Sequence, residues 1–314
     1  VTGVQTCALP ILFQPMMDSW FLSRTSESAA AGVGALMPIL GTIFMAIQAF
    51  SQAGASIASQ FIGASANSHA RTTISMVIVG SMLLGVAMTL LVWPSSHWIV
   101  NAMGLSGDTA KFGEEFMQVV CFGFVFRALQ TTLTAMIATH GLTIWNLIGN
   151  SFTIAFNILL NIVFLNGMFG LPKMHVEGVA LATALSWAFS SAILWIVLKY
   201  KIRHKTRRID MKRSRVVIGD WIRIGLPAAA EPVSFQLFQV FITAMVVHLG
   251  TMAVTARVFS ANFAMFAIIL GVGLGNGNQI LVAHLVGAHD YKKANRRTYQ
   301  SLIASCSSGF LIAL

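Results

Sequence analysis

The chain has little charge: Asp, Glu, Lys and Arg together make up 10% of its 314 residues. Soluble globular domains carry about 25% charged residues. Hydrophobic residues account for 56% of the chain, and its mean hydropathy is +0.76. So little charge cannot cover the surface of a soluble domain. The composition therefore excludes an ordinary soluble protein and predicts a membrane protein.

Cysteine is also scarce, with three residues in the whole chain. Cys121 and Cys306 each lie in an apolar run, where a buried thiol behaves as a small hydrophobic group. Neither a disulfide framework nor a spacing of metal ligands follows from them. The sequence also lacks a nucleophile–base arrangement and a phosphate-binding loop. It predicts neither an enzyme nor a bound cofactor or metal.

Six segments of the chain contain no Asp, Glu, Lys or Arg. An α-helix needs about 20 apolar residues to cross the hydrocarbon core of a bilayer, and these segments reach or exceed that length. Their apolar residues are continuous and do not alternate, which argues against a membrane β-barrel. The segments are residues 33–68, 74–93, 144–172, 178–198, 233–256 and 258–288.

Charges and helix-breaking residues divide these segments into helices and predict an all-α membrane protein with about nine transmembrane helices in this chain. We set residues 1–11 aside because they resemble a translated sequencing adapter. Predicted helix 1 ends near Arg24, and predicted helix 9 begins near Thr298. Predicted helices 2 to 8 span about residues 33–65, 73–98, 108–139, 143–169, 176–200, 221–249 and 255–287.

Basic residues are concentrated in one stretch, since residues 199–215 hold nine of the chain's 20 Lys and Arg residues. The positive-inside rule makes this stretch a cytoplasmic loop. Loops expected on the same side are also basic, with Arg71 between helices 2 and 3 and Lys292 between helices 8 and 9. We expect a multi-pass protein of the plasma (inner) membrane with its N-terminus and residues 199–215 in the cytoplasm. A nucleic-acid partner is not expected, because the stretch offers only Tyr200 for base stacking.

Two stretches of the sequence echo each other, residues 60–64 and residues 284–288, and 224 positions separate Gly63 from Gly287. Six helices, a basic linker and a second similar helix pair predict two six-helix lobes related by an axis along the membrane normal. We expect an N-terminal lobe at residues 12–200, a basic linker at 201–219 and part of a C-terminal lobe at 220–314. Two such repeats are longer than this chain, so the sequence predicts a fragment of a larger parent protein.

Several short motifs, in this order and spacing, resemble the multidrug and toxic compound extrusion (MATE) transporters. That resemblance covers residues 12–314 and implies a parent of twelve helices in two lobes, with an acidic residue on helix 1 that couples a cation to transport. The motifs are Asp18-Ser19-Trp20-Phe21-Leu22-Ser23-Arg24, the two Gly-Ala helix ends, Asn157-Ile158-Leu159-Leu160-Asn161, Gly178-Val179-Ala180-Leu181-Ala182-Thr183, Ile224-Gly225-Leu226-Pro227 and the glycine-rich residues 271–277.

Asp18 is the leading candidate for cation coupling. A charge at the centre of a bilayer costs about 2.5–3.5 kcal/mol on insertion scales, so an acid in a membrane helix is a functional candidate. Asn157 and Asn161 are spaced four residues apart and share one face of predicted helix 5. The resemblance implies that these asparagines lie near the helix-1 acid. The alternatives are that Asp18 only anchors its helix near the headgroups and that the asparagines only join helices.

Four further polar residues are candidates for a substrate or cation cavity. Glu231 follows Pro227 in predicted helix 7, although its position does not match the acid that some similar transporters carry, so structural and functional roles both remain open. Arg127 interrupts predicted helix 4, and we expect it to pair with an acid or to line the cavity. Asn150 and Gln236 complete the set.

The predicted function is a cation-coupled antiporter, driven by H⁺ or Na⁺, that exports amphipathic and often cationic organic compounds by alternating access. The expected partners are such small molecules and membrane lipid, and the protein is expected to be a monomer. Two alternatives are a flippase for lipid-linked oligosaccharides and a non-transporting membrane scaffold. A flippase should have a larger and more cationic cavity, whereas a scaffold has no need for the embedded acids Asp18 and Glu231.

Overall fold

The computed structural model describes residues 17–18, 20–170, 172–202, 211–247, 260 and 271–313. Within these residues the chain is almost entirely α-helical and contains no strand, which confirms the predicted fold class. The helices are α1 (residues 17–18 and 20–25), α2 (Glu27–Gly63), α3 (Asn67–Ala102), α4 (Gly107–Thr139), α5 (Thr143–Asn166), α6 (Val176–Tyr200), α7 (Met211–Val247), α8 (residues 271–287) and α9 (Tyr291–Ala313).

Helix α4 is interrupted near its middle. Its α-helical segments Gly107–Val120 and Phe124–Thr139 are joined by a 3₁₀ turn, Cys121–Gly123. Gly123 lies against α6, where a Cβ atom would stand 2.9 Å from the Cβ of Ala184. The Thr89 hydroxyl donates to the Cys121 carbonyl oxygen at 2.7 Å and ties the turn to α3. The turn therefore fixes the second segment, which carries Arg127, against its neighbours.

Several helix ends differ from the predicted ones for local reasons. Helix α2 begins at Glu27 because the Ser26 side chain caps it, accepting from the Ala29 N–H at 3.0 Å. Helix α5 ends at Asn166 because Gly167 adopts a left-handed conformation with φ 65°. Helix α7 begins ten residues earlier than predicted, at Met211. Its first turns are rich in Lys and Arg, which are good helix formers, so the basic stretch is in part helical.

Five of the described helices, α2 to α6, are long and apolar enough to cross a membrane. Their outward faces carry large apolar side chains, such as Leu83, Leu90 and Trp98, that are 64%, 69% and 72% exposed. Small polar side chains, such as Ser59 and Ser190, are buried inside the bundle instead. This arrangement suits a bundle surrounded by lipid, whose helices associate through small and hydrogen-bonding residues.

Two clusters of buried apolar side chains lie inside the bundle. The first includes Leu22, Leu40 and Phe116 together with Trp187 of α6. The second is built around Ile74, Leu133 and Leu194, and it includes Trp221 of α7. Several residues of the first cluster also line a cavity, so the candidate site lies within that cluster.

Helix α7 packs against α2, and Trp221 contacts Phe50 there. Its indole Nε1 donates to the Phe50 carbonyl oxygen at 2.7 Å. The Trp221 and Phe50 rings meet edge to face with centroids 5.4 Å apart. Gly80 of α3 provides the space for the indole, since a Cβ there would stand 2.5 Å from the Trp221 ring. These contacts join the two predicted lobes near the basic stretch.

The two echoed Gly-Ala stretches contact each other. A Cβ atom on Gly63 would meet the backbone carbonyl of His284, and a Cβ atom on Gly287 would meet that of Gln60. Each glycine thus allows the backbone of the other stretch to approach closely. The ends of α2 and α8 cross at this point, next to the loops that carry Arg71 and Lys292.

Some predicted features lie outside the described residues. They are the adapter-like residues 1–11, the start of predicted helix 8 near Thr255 and the basic residues between 203 and 210. The division into lobes at 12–200, 201–219 and 220–314 stays a prediction.

Candidate functional site

Asp18 is buried within the bundle, with 5% of its surface exposed. Its Oδ1 atom accepts a hydrogen bond from Asn161 Nδ2 at 3.4 Å, and its Oδ2 atom accepts one from the Thr183 hydroxyl at 3.2 Å. These bonds connect α1 to α5 and α6. No described basic side chain forms an ion pair with the carboxylate. Neutral donors from two helices therefore stabilise a carboxylate that has been taken out of water.

The same donors are linked to one another, so that four side chains close a ring. Asn161 Nδ2 also donates to Asn157 Oδ1 at 3.1 Å, and Asn157 Nδ2 donates to the Thr183 hydroxyl oxygen at 3.2 Å. Both asparagines are 0% exposed. Their spacing of four residues places them on one face of α5, as predicted. The structure confirms that Asp18, Asn157 and Asn161 lie together.

One atom of the ring lacks a partner. Asn161 Oδ1 is buried and accepts no hydrogen bond from any described residue. A buried acceptor without a donor costs free energy, so it favours a species that brings a donor or a positive charge. A protonated Asp18 could donate to this oxygen after rotation of the amide. A bound cation could instead be ligated by this oxygen and the carboxylate, because hard cations prefer oxygen ligands.

The ring borders a cavity between α1, α2, α4, α5 and α6. Its interior volume is about 90 Å³, and the empty space including its opening to solvent is about 670 Å³. An interior of this size holds a few water molecules or a small ion, whereas drug-sized ligands need pockets of about 300–1,000 Å³. The polar lining residues are Asp18, Arg127, Gln130, Asn150, Thr153 and Thr183, and the apolar ones include Met37, Leu40, Phe44, Phe116 and Trp187.

Arg127 lines this cavity, which is one of the two predicted outcomes for it. Its Nη1 atom donates to Gln130 Oε1 at 3.2 Å. The guanidinium carbon lies 5.4 Å from the centre of the Phe44 ring and 5.5 Å from that of Trp187. Among the described residues no carboxylate forms an ion pair with it. The other predicted outcome, pairing with an acid, is not seen in this part of the chain.

The remaining cavity candidates divide into two groups. Asn150 lines the cavity, as predicted. Glu231 and Gln236 lie on α7, with Glu231 exposed and Gln236 half-buried, and neither lines the cavity that contains Asp18. A role for these two residues in a cavity between the lobes stays a prediction.

Sequence reasoning missed three polar or aromatic residues of the site. Thr183 belongs to a motif quoted for the resemblance, but a threonine in an apolar helix gives no sign that it will donate to an acid 165 positions away. Gln130 stands one helical turn after Arg127, which is the only sequence signal that it could be a partner. Trp187 looks like an ordinary apolar core residue. All three depend on the packing of α6 against α1 and α4.

Comparison with known proteins identifies the family of this chain. The MatE family model matches residues 8–163 and 227–314, which is more than half of the chain. The chain belongs to the MatE family. The match is interrupted at residues 164–226, a range that includes the basic stretch. The match supports the resemblance found in the sequence motifs.

The chain is similar to curated proteins named as a transporter or as multidrug resistance proteins. An uncharacterized transporter of Bacillus subtilis (strain 168), YisQ, is 26% identical over 93% of this chain and 64% of its own length. A probable multidrug resistance protein of Thermotoga maritima, NorM, is 24% identical over 88% of this chain and 58% of its own length. The chain therefore spans less than two thirds of the length of these MATE relatives.

Solved MATE structures have the same fold. A MATE crystal structure in the bent conformation superposes with a TM-score of 0.85 at 18% identity, covering 99% of this chain and 68% of that one. An outward-facing multidrug resistance MATE transporter superposes with a TM-score of 0.84, also at 18% identity, over 99% of this chain and 68% of that one. At such identities the likeness concerns the fold. The chain thus has the MATE fold, and its family supports a multi-pass membrane protein and a reading other than an enzyme.

Proposed function

We propose that the full-length protein is a cation-coupled antiporter that exports amphipathic, often cationic, organic compounds, and that Asp18 binds the coupling ion. The observation that carries this proposal is the hydrogen-bonded ring of Asp18, Asn157, Asn161 and Thr183 with its unpartnered acceptor, Asn161 Oδ1. The ring supplies an acid, an unsatisfied oxygen and an adjoining cavity. These are the requirements for taking up H⁺ or Na⁺ reversibly.

Coupling follows from the two states of the carboxyl group. Without the ion, the Asp18 carboxylate accepts from Asn161 and Thr183 and adds a negative charge to the cavity. With H⁺ or Na⁺ bound, that charge is neutralised, and a cationic substrate loses an attractive partner. A ligand shifts a transport equilibrium only through different affinities for the two states, and this competition provides the difference.

Alternating access requires a contact between the lobes that forms and breaks. The backbone crossing of Gly63 with His284 and of Gly287 with Gln60 is such a contact. We place it on the cytoplasmic side of the inner membrane, together with the N-terminus and residues 199–215, because the adjoining loops are basic. The conformation then corresponds to a transporter closed towards the cytoplasm. The protein acts as a monomer in this proposal and needs no cofactor beyond the coupling ion.

Neither alternative is favoured by the described residues. A flippase for lipid-linked oligosaccharides needs a large cationic cavity, whereas this cavity has an interior of about 90 Å³ and contains one described cation, Arg127. A scaffold without transport activity does not require a desolvated acid that accepts hydrogen bonds from Asn161 and Thr183.

Transport can be tested with the full-length protein reconstituted in lipid vesicles and ethidium, a fluorescent organic cation, as the probe. We expect ethidium movement when a gradient of H⁺ or of Na⁺ is imposed, and arrest when an ionophore collapses that gradient. The two gradients applied separately identify the ion. Vesicles without protein provide the control. Ethidium movement that is independent of both gradients would contradict the proposed antiport.

A further inference from the structure

A second, larger cavity forms a groove on the outward face of the bundle between α3, α4 and α6. Its interior volume is about 370 Å³, which lies within the range of pockets that hold small molecules. Among the described residues, none lines both this groove and the cavity that contains Asp18. The lining is mostly apolar and includes Trp93, Gln118, Phe122, Phe126, Leu181 and Leu185.

The interruption of α4 shapes this groove. Phe122 belongs to the 3₁₀ turn Cys121–Gly123, and it is 58% exposed while Gly123 packs inward against α6. The Phe122 ring faces that of Trp93 on α3, with centroids 6.2 Å apart, and Trp93 is 52% exposed. Helices α3, α4 and α6 are long and apolar enough to cross a membrane. In a bilayer, an acyl chain is therefore the neighbour available to fill an apolar groove on their outward face.

One end of the groove becomes polar through contacts that connect α3 and α4. Gln118 lines the groove, and its Nε2 atom donates to Glu114 Oε1 at 3.2 Å. The other carboxylate oxygen, Glu114 Oε2, lies 3.0 Å from His97 Nδ1. The His97 side chain is 72% exposed and that of Glu114 is 29% exposed. An ion pair so open to solvent contributes little stability, so another cation can replace His97 at this carboxylate.

Two more charged side chains stand at the same end. Lys111 precedes Glu114 by three residues, and Glu177 precedes Leu181 by four, so each lies one turn beyond the groove on the face that lines it. Both are exposed. Glu177 is in the first turn of α6, and α6 ends beside the basic stretch, so this rim lies at the opposite end of the bundle. The rim thus carries two acids and a lysine next to an apolar groove.

Phosphatidylethanolamine is the lipid whose headgroup matches this rim. Its ammonium has N–H donors for charge-assisted hydrogen bonds to carboxylates, and its phosphate is an acceptor for a lysine. Phosphatidylglycerol has a phosphate but no cation, so it would bring a negative charge next to Glu114 and Glu177. The quaternary ammonium of phosphatidylcholine has no N–H to donate.

We propose that the groove between α3, α4 and α6 is a binding site for phosphatidylethanolamine. One acyl chain lies between Trp93 and Phe122. The ammonium binds Glu114 and Glu177, and the phosphate binds Lys111. This inference concerns a lipid partner and its site, and it does not depend on the proposed antiport.

Quenching of tryptophan fluorescence by brominated lipids tests the site. The full-length protein is reconstituted in phosphatidylcholine vesicles with increasing fractions of phosphatidylethanolamine or phosphatidylglycerol, both brominated on the same acyl chains. The part of the quenching that belongs to Trp93 is the part that Trp93→Phe removes. We expect it to reach half its maximum at an about fivefold lower fraction of phosphatidylethanolamine, as exposed ion pairs provide.

Matched variants assign this preference. Trp98→Phe should leave it unchanged, because Trp98 is 72% exposed on the same helix but does not line the groove. The double variant Glu114→Gln, Glu177→Gln should make the two lipids equal while Trp93 is still quenched. Glu27→Gln is its control, since Glu27 is exposed in the first turn of α2 and does not line the groove.

The site is refuted if brominated lipid does not quench Trp93, if both headgroups act equally on wild type, or if phosphatidylglycerol acts more strongly. Equal action would mean that the groove meets only the surrounding bilayer. A headgroup preference that survives in the double variant would equally overturn the proposal. Should the double variant fail to reconstitute, Glu177→Gln alone replaces it, and an undiminished preference in that variant counts against the site. Ethidium antiport is measured separately, so failure of either proposal leaves the other testable.

Discussion

Asp18→Asn is expected to remove ion-driven export from the full-length protein while leaving its membrane insertion intact. The substitution keeps the size of the side chain but removes the negative charge that H⁺ or Na⁺ neutralises. It also turns one acceptor oxygen into an NH₂ group that faces a donor, either Asn161 Nδ2 or the Thr183 hydroxyl. Hydrogen bonds to a charged group contribute about 1.5–3 kcal/mol, so we expect gradient-driven ethidium export to fall at least about tenfold.

The matched control for this variant is Asp108→Asn. Asp108 is exposed in the first turn of α4, where the same chemical change does not touch the cavity. Export by the control should equal that of wild type. Size-exclusion chromatography establishes that both variants are inserted and folded. Export by Asp18→Asn at the wild-type rate, with the same dependence on the gradient, would remove Asp18 from the mechanism.

Gly63→Ala is expected to open the contact between the two lobes. The added Cβ would collide with the His284 backbone carbonyl, which cannot rotate away as a side chain could. Overpacking of this kind costs about 1–3 kcal/mol, which shifts a two-state equilibrium by about fivefold or more. Opening of the contact should lengthen the distance between spin labels at the exposed positions 67 and 292, which lie on the two predicted lobes. Export should decrease in parallel, because the closed state becomes harder to reach.

Gly34→Ala is the control on the same helix. A Cβ at Gly34 meets nothing within 4 Å, so this variant should give the wild-type distance distribution. Gly287→Ala should reproduce the effect of Gly63→Ala, since its Cβ would meet the Gln60 carbonyl from the opposite lobe. Unchanged distances in both Gly63→Ala and Gly287→Ala would show that this crossing does not hold the lobes together.

The existence of the helices could be predicted from the sequence because membrane spans are long and apolar. The residues at which they begin and end were harder to predict, because charge is a poor marker of where a helix stops. Helix α6 begins at Val176 and ends at Tyr200, as predicted. Helix α7 continues back through basic residues to Met211, since water outside the bilayer allows a charged helix as readily as a charged loop. Helix α5 ends before Gly167 because that residue adopts a left-handed backbone conformation, which the pattern of apolar residues does not predict.

The acid of the site was predictable, whereas its partners were only partly so. Asp18 is costly in a bilayer, and the spacing of Asn157 and Asn161 defines one face of α5, so these three could be found in the sequence. Thr183, Gln130 and Trp187 carry no charge, and their importance lies in what they contact. The unpaired N–H groups of Arg127 and Trp187 are likewise a property of packing, because only the folded chain shows which donors remain without acceptors.

The most direct test of Asp18 as the ion-binding residue is the affinity for ethidium, measured by fluorescence on the purified full-length protein over a series of pH values and Na⁺ concentrations. Binding linkage requires that an ion which lowers substrate affinity is itself bound less tightly when the substrate is present. We predict that wild-type affinity decreases as the concentration of H⁺ or of Na⁺ rises, and that the affinity of Asp18→Asn responds to neither. An equal response in wild type and Asp18→Asn would contradict this account.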